Sequence, residues 1–348
     1  MSKKLIVFGN GLGRALDNDY FNLESAMKHI WESDWLKPEE KALIATLDGF
    51  DALNGPSGEE DLISAYGAQL SINLLKSCLE KGQLEGWMTS EGQSFSKVLE
   101  KYTYAVAYYF HLFKPDEQQQ KIWAEFCCAL IDHIAVEHSH IATLNYDTLL
   151  YDPFLNTKSS ITGEPLCSDE LKTTKLFDGF GNRGMFYPDR FGWYLSYPRG
   201  TYMHLHGTPL FHYDHEGRPQ KRKRSALPLP ETVTSSHQII LGPSDLKRQL
   251  IRTHPVLKDY WEKRLPKCIT DSEDIILFGY GGADPHLNEL IKDKTDTKKK
   301  YVIEWSGEKG DRKTFWEERL GPSCEVVPMV NILNFRLWDD PAIHNIPF

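Results

Sequence analysis

Residues 3–14 read KKLIVFGNGLGR. The apolar run Leu5 to Phe8 does not alternate, which is the pattern of a strand covered on both faces, and it runs straight into three closely spaced glycines. A buried strand that ends in a glycine turn opens an α/β unit. Residues 276–291, ILFGYGGADPHLNELI, repeat the arrangement: a strand, a turn with Gly279, Gly281 and Gly282, then Asp284 to cap a helix with Pro285 at its first position. Open α/β sheets bind ligands at the carboxyl ends of their strands. The expected fold is therefore α/β, a Rossmann-like, mostly parallel sheet assembled from both ends of the chain.

Between these units the pattern changes. EEDLISAYGAQLSINLLKSCLEKG, FSKVLEKYTYAVAYYFHLF and DEQQQKIWAEFCCALIDHIAVEH place apolar residues three and four apart, as amphipathic helices do. Residues 19–138 are read as a large helical insertion, and 1–18 with 139–348 as the nucleotide-binding domain. Strand-like runs resume at SHIATLN, TYMHLHG, HQIILGP, EDIILFGYG, KYVIEW and CEVVPM. Residues 151–200 are rich in Gly, Pro, Asn and aromatics without a sustained period, a loop-rich segment placed near the site. The run HEGRPQKRKRSALPLPE, with five basic residues and three prolines, is read as a solvated loop.

Composition narrows the function classes. The chain has 348 residues, 40 Lys and Arg against 49 Asp and Glu, and a net charge of -9, which works against capture of a nucleic-acid backbone. No stretch approaches the roughly 20 apolar residues of a membrane span. The apolar run behind MSKK is too short for a secretory signal, so a cytoplasmic location is expected. The six cysteines form no Cys-x-x-Cys pair, so neither a disulfide framework nor a thiolate zinc site is expected.

Candidate chemistry lies at strand ends. Backbone N–H groups of the GNGLG turn could meet a phosphate, or the turn could simply need the conformational freedom of glycine. Its spacing is Gly-x-Gly-x-Gly, and no strand ending in an acidic residue comes about 20 residues on, which argues against a conventional NAD-dependent dehydrogenase. In TLNYD, residues 143–147, Asn145 could close an Asx turn and Asp147 could cap the next segment, TLLYDP, or both could face a ligand. In TYMHLHG, alternation puts His204 and His206 on one face. A metal pair extended by His212 and His215 is one reading. A catalytic His206 with His204 as a packed neighbour fits better, because a ring with an ordinary pKa of about 6.5 exchanges protons near neutrality.

Taken in order, GNGLG, TLNYD, HLHG, ILGPSDLKRQL and LFGYGGADPHL resemble the motifs of the SIR2-like family, sirtuin relatives found in bacterial antiphage defence. The resemblance covers both ends of the chain and leaves the helical segment and residues 151–200 unmatched. It implies a Rossmann-like SIR2 fold that binds NAD+ as substrate, with Gly9, Asn10, Gly11 and Gly13 around the cofactor. It implies that Asn145 holds a water and the nicotinamide ribose, that Asp147 binds the carboxamide, and that His206 is a base toward ribose hydroxyls. Gly279 and Gly281 fall where the family holds the adenosine half, and Gly282 and Asp284 of the same turn join the set. Sirtuin deacylases carry a four-cysteine zinc ribbon after the catalytic His-Gly, and this chain has no cysteine between Cys167 and Cys268. What the resemblance implies is therefore a metal-free NAD+ glycohydrolase, a gated abortive-infection effector. Its control would come from homo-oligomerisation or from a neighbouring-gene sensor such as an Argonaute, a helicase or a nucleotide sensor. A non-catalytic nucleotide-binding signalling module and a zinc-free deacylase are the alternatives.

Overall fold

The computed structural model describes residues 3–78, 83, 86–151, 153–154, 176–181, 184–188, 200–234, 236–295 and 297–342. Its strands are β1 (Lys4–Phe8), β2 (His140–Thr143), β3 (Tyr202–His204), β4 (Gly207–Tyr213), β5 (Pro219–Lys221), β6 (His237–Ile239), β7 (Asp274–Phe278), β8 (Lys300–Trp305) and β9 (Cys324–Met329). Six of them form one sheet in the order β3-β2-β1-β7-β8-β9, and every neighbouring pair is parallel. This is the Rossmann-like α/β architecture expected from the sequence. β1 lies between β2 and β7, and Leu5 to Phe8 are fully buried in the core on both faces of the sheet, which is why its sequence shows no polar alternation.

The helices are α1 (Gly11–Arg14), α2 (Leu23–Glu32), α3 (Pro38–Ile44), α4 (Ile63–Cys78), α5 (Ser90–His111), α6 (Glu117–Glu137), α7 (Ser244–Thr253), α8 (Pro255–Asp259), α9 (Leu265–Asp271), α10 (Pro285–Lys294) and α11 (Arg312–Leu320). A π-helical turn, Tyr260–Arg264, joins α8 to α9. Local chemistry sets several of the starts. Asn22 accepts from the Glu24 and Ser25 amides before α2, and Asp116 and Gln119 form a reciprocal capping box before α6. Within the segment 19–138, α6 packs directly on the sheet: the Phe126 ring lies 6.5 Å from Phe8 and 5.3 Å from Phe278, with Trp338 alongside at 5.7 Å. That helix is a covering layer of the sheet and shares its core.

Two runs fold differently from their sequence reading. HQIILGP supplies β6, which pairs antiparallel with β4 in a separate three-stranded sheet, β5-β4-β6, and does not join the parallel one. Part of the basic run read as a solvated loop is β5. Asp214 closes the hairpin by accepting from the Glu216 and Arg218 amides at 2.9 and 2.8 Å, and Gly217 takes φ +76° in the turn. Lys221 then pairs with the buried Asp178 carboxylate. Helix α5 lies against β4 and β6, so the small sheet links the helical segment to the parallel sheet. Residues 151–200 fall for the most part outside the described residues. Among the described residues, no helix is long and apolar enough to cross a membrane.

Candidate functional site

The order of strands reverses at β1: the chain builds outward through β2 and β3, then crosses to β7 on the other side and continues to β8 and β9. Such a switch point leaves a crevice at the strand carboxyl ends. Here it is a cleft of about 1030 Å³, the size class of a large organic ligand.

Its middle is made by two glycine turns pressed together. The Gly9 amide donates to Phe278 O at 2.9 Å and the Gly11 amide to Gly279 O at 2.8 Å. A Cβ on Gly9 would lie 2.6 Å from Tyr280 Cα, and one on Gly11 would lie 2.6 Å from Gly279 O. These glycines are required by close approach of backbone to backbone. Their amides are committed to β7 and its turn, and α1 is a single turn, so the GNGLG segment offers an anion less than its sequence suggested. Arg14, exposed at the cleft edge, is the charged donor beside it.

Side chains make the neighbouring end. His206 Nε2 lies 3.0 Å from Asp284 Oδ2, both groups buried, and Asp284 Oδ1 accepts the Leu287 amide at 3.0 Å as the cap of α10. Burial by itself would raise the Asp284 pKa. The hydrogen bond and charge of His206, the Leu287 amide and Lys247 overcome it and push the value down to about 2. An ionised carboxylate only accepts, so the His206 proton sits on Nε2 and Nδ1 is the basic atom. The ring lies near-parallel to Trp261, at 6.4 Å and 19°, and tilted to Tyr146, at 6.1 Å and 33°. Trp261 Nε1 is itself anchored to Leu205 O at 2.8 Å.

Asn145 comes just after β2 and is 5 % exposed, and neither Oδ1 nor Nδ2 completes a well-formed hydrogen bond among the described residues, although the amide lies close enough to the Asp147 carboxylate to help hold its pKa down. Asp147 Oδ1 accepts the Leu149 amide at 2.9 Å, so the Asx turn expected at Asn145 is made by Asp147 instead. Burial pushes its pKa up to about 6, against the Leu149 amide, the adjacent Asn145 amide group and Arg224.

Of the residues singled out in the sequence, Gly9, Asn10, Gly11, Asn145, Asp147, His206, Gly279, Gly281 and Asp284 line this one cleft. Gly13 and Gly282 do not: Gly13 packs under the Phe21 ring and Gly282 against Trp316 and Arg319. The Asn10 amide donates to Phe21 O at 2.9 Å and so braces the turn. His204 is buried beside Tyr202, 3.0 Å from its hydroxyl, and burial pushes its pKa down to about 3. His204 and His206 therefore serve different neighbours. Among the described residues, no group of three His, Cys, Asp or Glu is arranged to hold a metal. Sequence reasoning missed Glu59, Tyr146 and Lys247 beside His206, and Trp305 and Arg312 at the far end, where Arg312 grips Glu304 at 2.8 and 2.7 Å. Only topology brings these together.

The chain matches no protein-family model, and no curated protein is significantly similar to it.

Proposed function

We propose that the cleft hydrolyses NAD+ to nicotinamide and ADP-ribose, as a SIR2-like NAD+ glycohydrolase. The observation that carries this reading is Asn145, whose two amide heteroatoms are buried in the cleft wall without a well-formed hydrogen bond to protein, beside the His206–Asp284 pair. A buried polar group left unpaired costs free energy, so an orphaned amide facing a cleft suits a ligand that completes it.

The chemistry suits these residue types. When the bond from ribose C1′ to the pyridinium nitrogen breaks, its electron pair neutralises the ring and positive charge develops on the sugar. The leaving group needs no strong acid. The site must supply orientation, a dipole for the developing charge and a water on the open face. Asn145 supplies the dipole and orients the water. The water forms the new bond to C1′ and yields its proton to His206 Nδ1, while ionised Asp284 fixes the tautomer and stabilises the imidazolium. Asp147 receives the carboxamide, and Gly9, Gly11, Gly279 and Gly281 form the surface along which the dinucleotide lies. An enzyme that consumes NAD+ endangers its own cell, so this reading includes restraint by self-assembly or by a neighbouring-gene partner, and a role in abortive infection.

The test is nicotinamide release by wild type, Asn145→Ala and His206→Ala, with and without the protein encoded beside this one. Wild type is expected to release nicotinamide, and each variant to lose about 10²-fold or more. Intact NAD+ after incubation with triggered wild type rejects the proposal. Release that depends on an added acyl-lysine peptide makes the protein a deacylase.

A further inference from the structure

We infer that Glu59, contributed by the loop that leads into α4, is the carboxylate that receives the hydroxyls of the substrate ribose beside the bond to be broken. This rests on the proposed cleavage of NAD+ and adds a residue from the helical segment, which the sequence motifs leave out.

Five carboxylates line the cleft: Glu59, Asp147, Asp284, Glu304 and Glu308. Asp147 is buried on the Leu149 amide, and Asp284 uses one oxygen for Leu287 and the other for His206. Glu304 is shared between Arg312 and Trp316, and Glu308 belongs to the turn after Trp305, at the end away from His206. Glu59 differs from all of these. Its Oε2 lies 2.8 Å from Lys247 Nζ, and its Oε1 lies 3.4 Å from the Tyr146 hydroxyl. That hydroxyl has one proton and already gives it to Ile240 O at 2.8 Å, so Oε1 keeps its accepting capacity. The side chain is 18 % exposed, open to the cleft without being loose in solvent.

Its place is fixed at the reactive end. The Tyr146 ring lies 6.1 Å from that of His206, and Lys247 is near enough to Asp284 to help lower its pKa. The supporting loop is built: Ser57 gives both its amide and its hydroxyl to Asp61 Oδ2 at 2.7 Å, and the Leu62 amide donates to Glu59 O at 3.1 Å. Vicinal hydroxyls of a ribose donate naturally to a carboxylate. As C1′ loses the pyridine nitrogen, those hydroxyls become more acidic and the sugar more positive, so the contact strengthens in the transition state. Glu59 forms no covalent bond; water supplies the new C1′–O bond and His206 takes the proton.

The experiment compares wild type and Glu59→Gln on NAD+ and on the analogue lacking the 2′-hydroxyl of the nicotinamide ribose, with melting temperatures alongside. Glu59→Gln is expected to lower kcat about 10-fold or more with KM within about twofold, and the analogue is expected to add little further loss in the variant. Should the pair with Lys247 merely staple the loop to α7, Glu59→Gln lowers the melting temperature, keeps wild-type kcat and feels the full penalty of the analogue. That result overturns the assignment alone. Triggered wild type that leaves NAD+ intact overturns the NAD+ reading, and the role of Glu59 with it.

Discussion

The two halves of the cleft floor are made of different material. Over β1 and β7 it is backbone, Gly9 and Gly11 pressed against Gly279 and Tyr280 with their amides already bonded. Over the ends of β2 and β3 and the start of α10 it is side chains: Asn145, Asp147, His206 and Asp284. The first half has a steric requirement, that nothing intrude between two turns. The second half has a chemical one, and it carries the unsatisfied and ionised groups that a fold without a ligand would avoid.

The contrast is most exposed to test in the glycines. Gly9→Ala drives a methyl onto the backbone of Tyr280, which cannot rotate away, and should cost about 3 kcal/mol or more in chemical denaturation. Gly281→Ala meets nothing within 4 Å, and Gly281 does not have a positive φ, so it should stay within about 0.5 kcal/mol of wild type. Equal losses would show that the close approach of the two turns is not what fixes Gly9 in the backbone half.

A somewhat smaller effect separates the ionised groups by pH. The Asp147 pKa is raised from 3.8 to about 6, so its contribution to stability is greatest below pH 4 and declines as pH rises toward 6. Asp147→Asn should therefore stabilise the fold by about 2 to 3 kcal/mol at pH 7.5 and by little at pH 3.5, read from paired denaturation curves. Asp284 has the opposite sign: its pKa is lowered from 3.8 to about 2, and its stabilisation is present above pH 4 and lost as pH falls toward 2. Smallest of all is the expected change in stability for Asn145→Ala, within about 0.5 kcal/mol, because the amide has no well-formed protein hydrogen bond to lose and only a weak approach to Asp147. A loss above about 2 kcal/mol would mean that Asn145 supports the fold and would remove the observation on which the proposed function stands.

What the sequence disclosed was local. The parallel sheet was legible from unbroken apolar runs such as LIVF and DIILF, and the glycine turns and the segments NYD and HLHG announced themselves within a few residues of a strand end. What it hid was made by distance. The contact between His206 and Asp284 spans 78 residues, and Asp284 looked complete as a helix cap because only one of its two oxygens is used for that purpose. Glu59 sits in a helical pattern with no motif around it. The hairpin of β4 and β5 was masked by the arginines and lysines on it, although Asp214 and Gly217 were turn signals.

The central strand also sets a schedule. Lys4 bonds to Ser139, 135 residues later, and pairs with Asp274, 270 residues later, so β1 cannot be enclosed until most of the chain exists. At ordinary rates of synthesis that interval is on the order of tens of seconds, during which Gly9 and Gly11 have no opposing turn and His206 has no Asp284. A nascent chain or fragment that ends between residues 213 and 273 holds β2, β3 and β4 without β7, and so without an assembled cleft. Pairing over such separations slows refolding as well, so recovery of the site after denaturation should trail the recovery of helix.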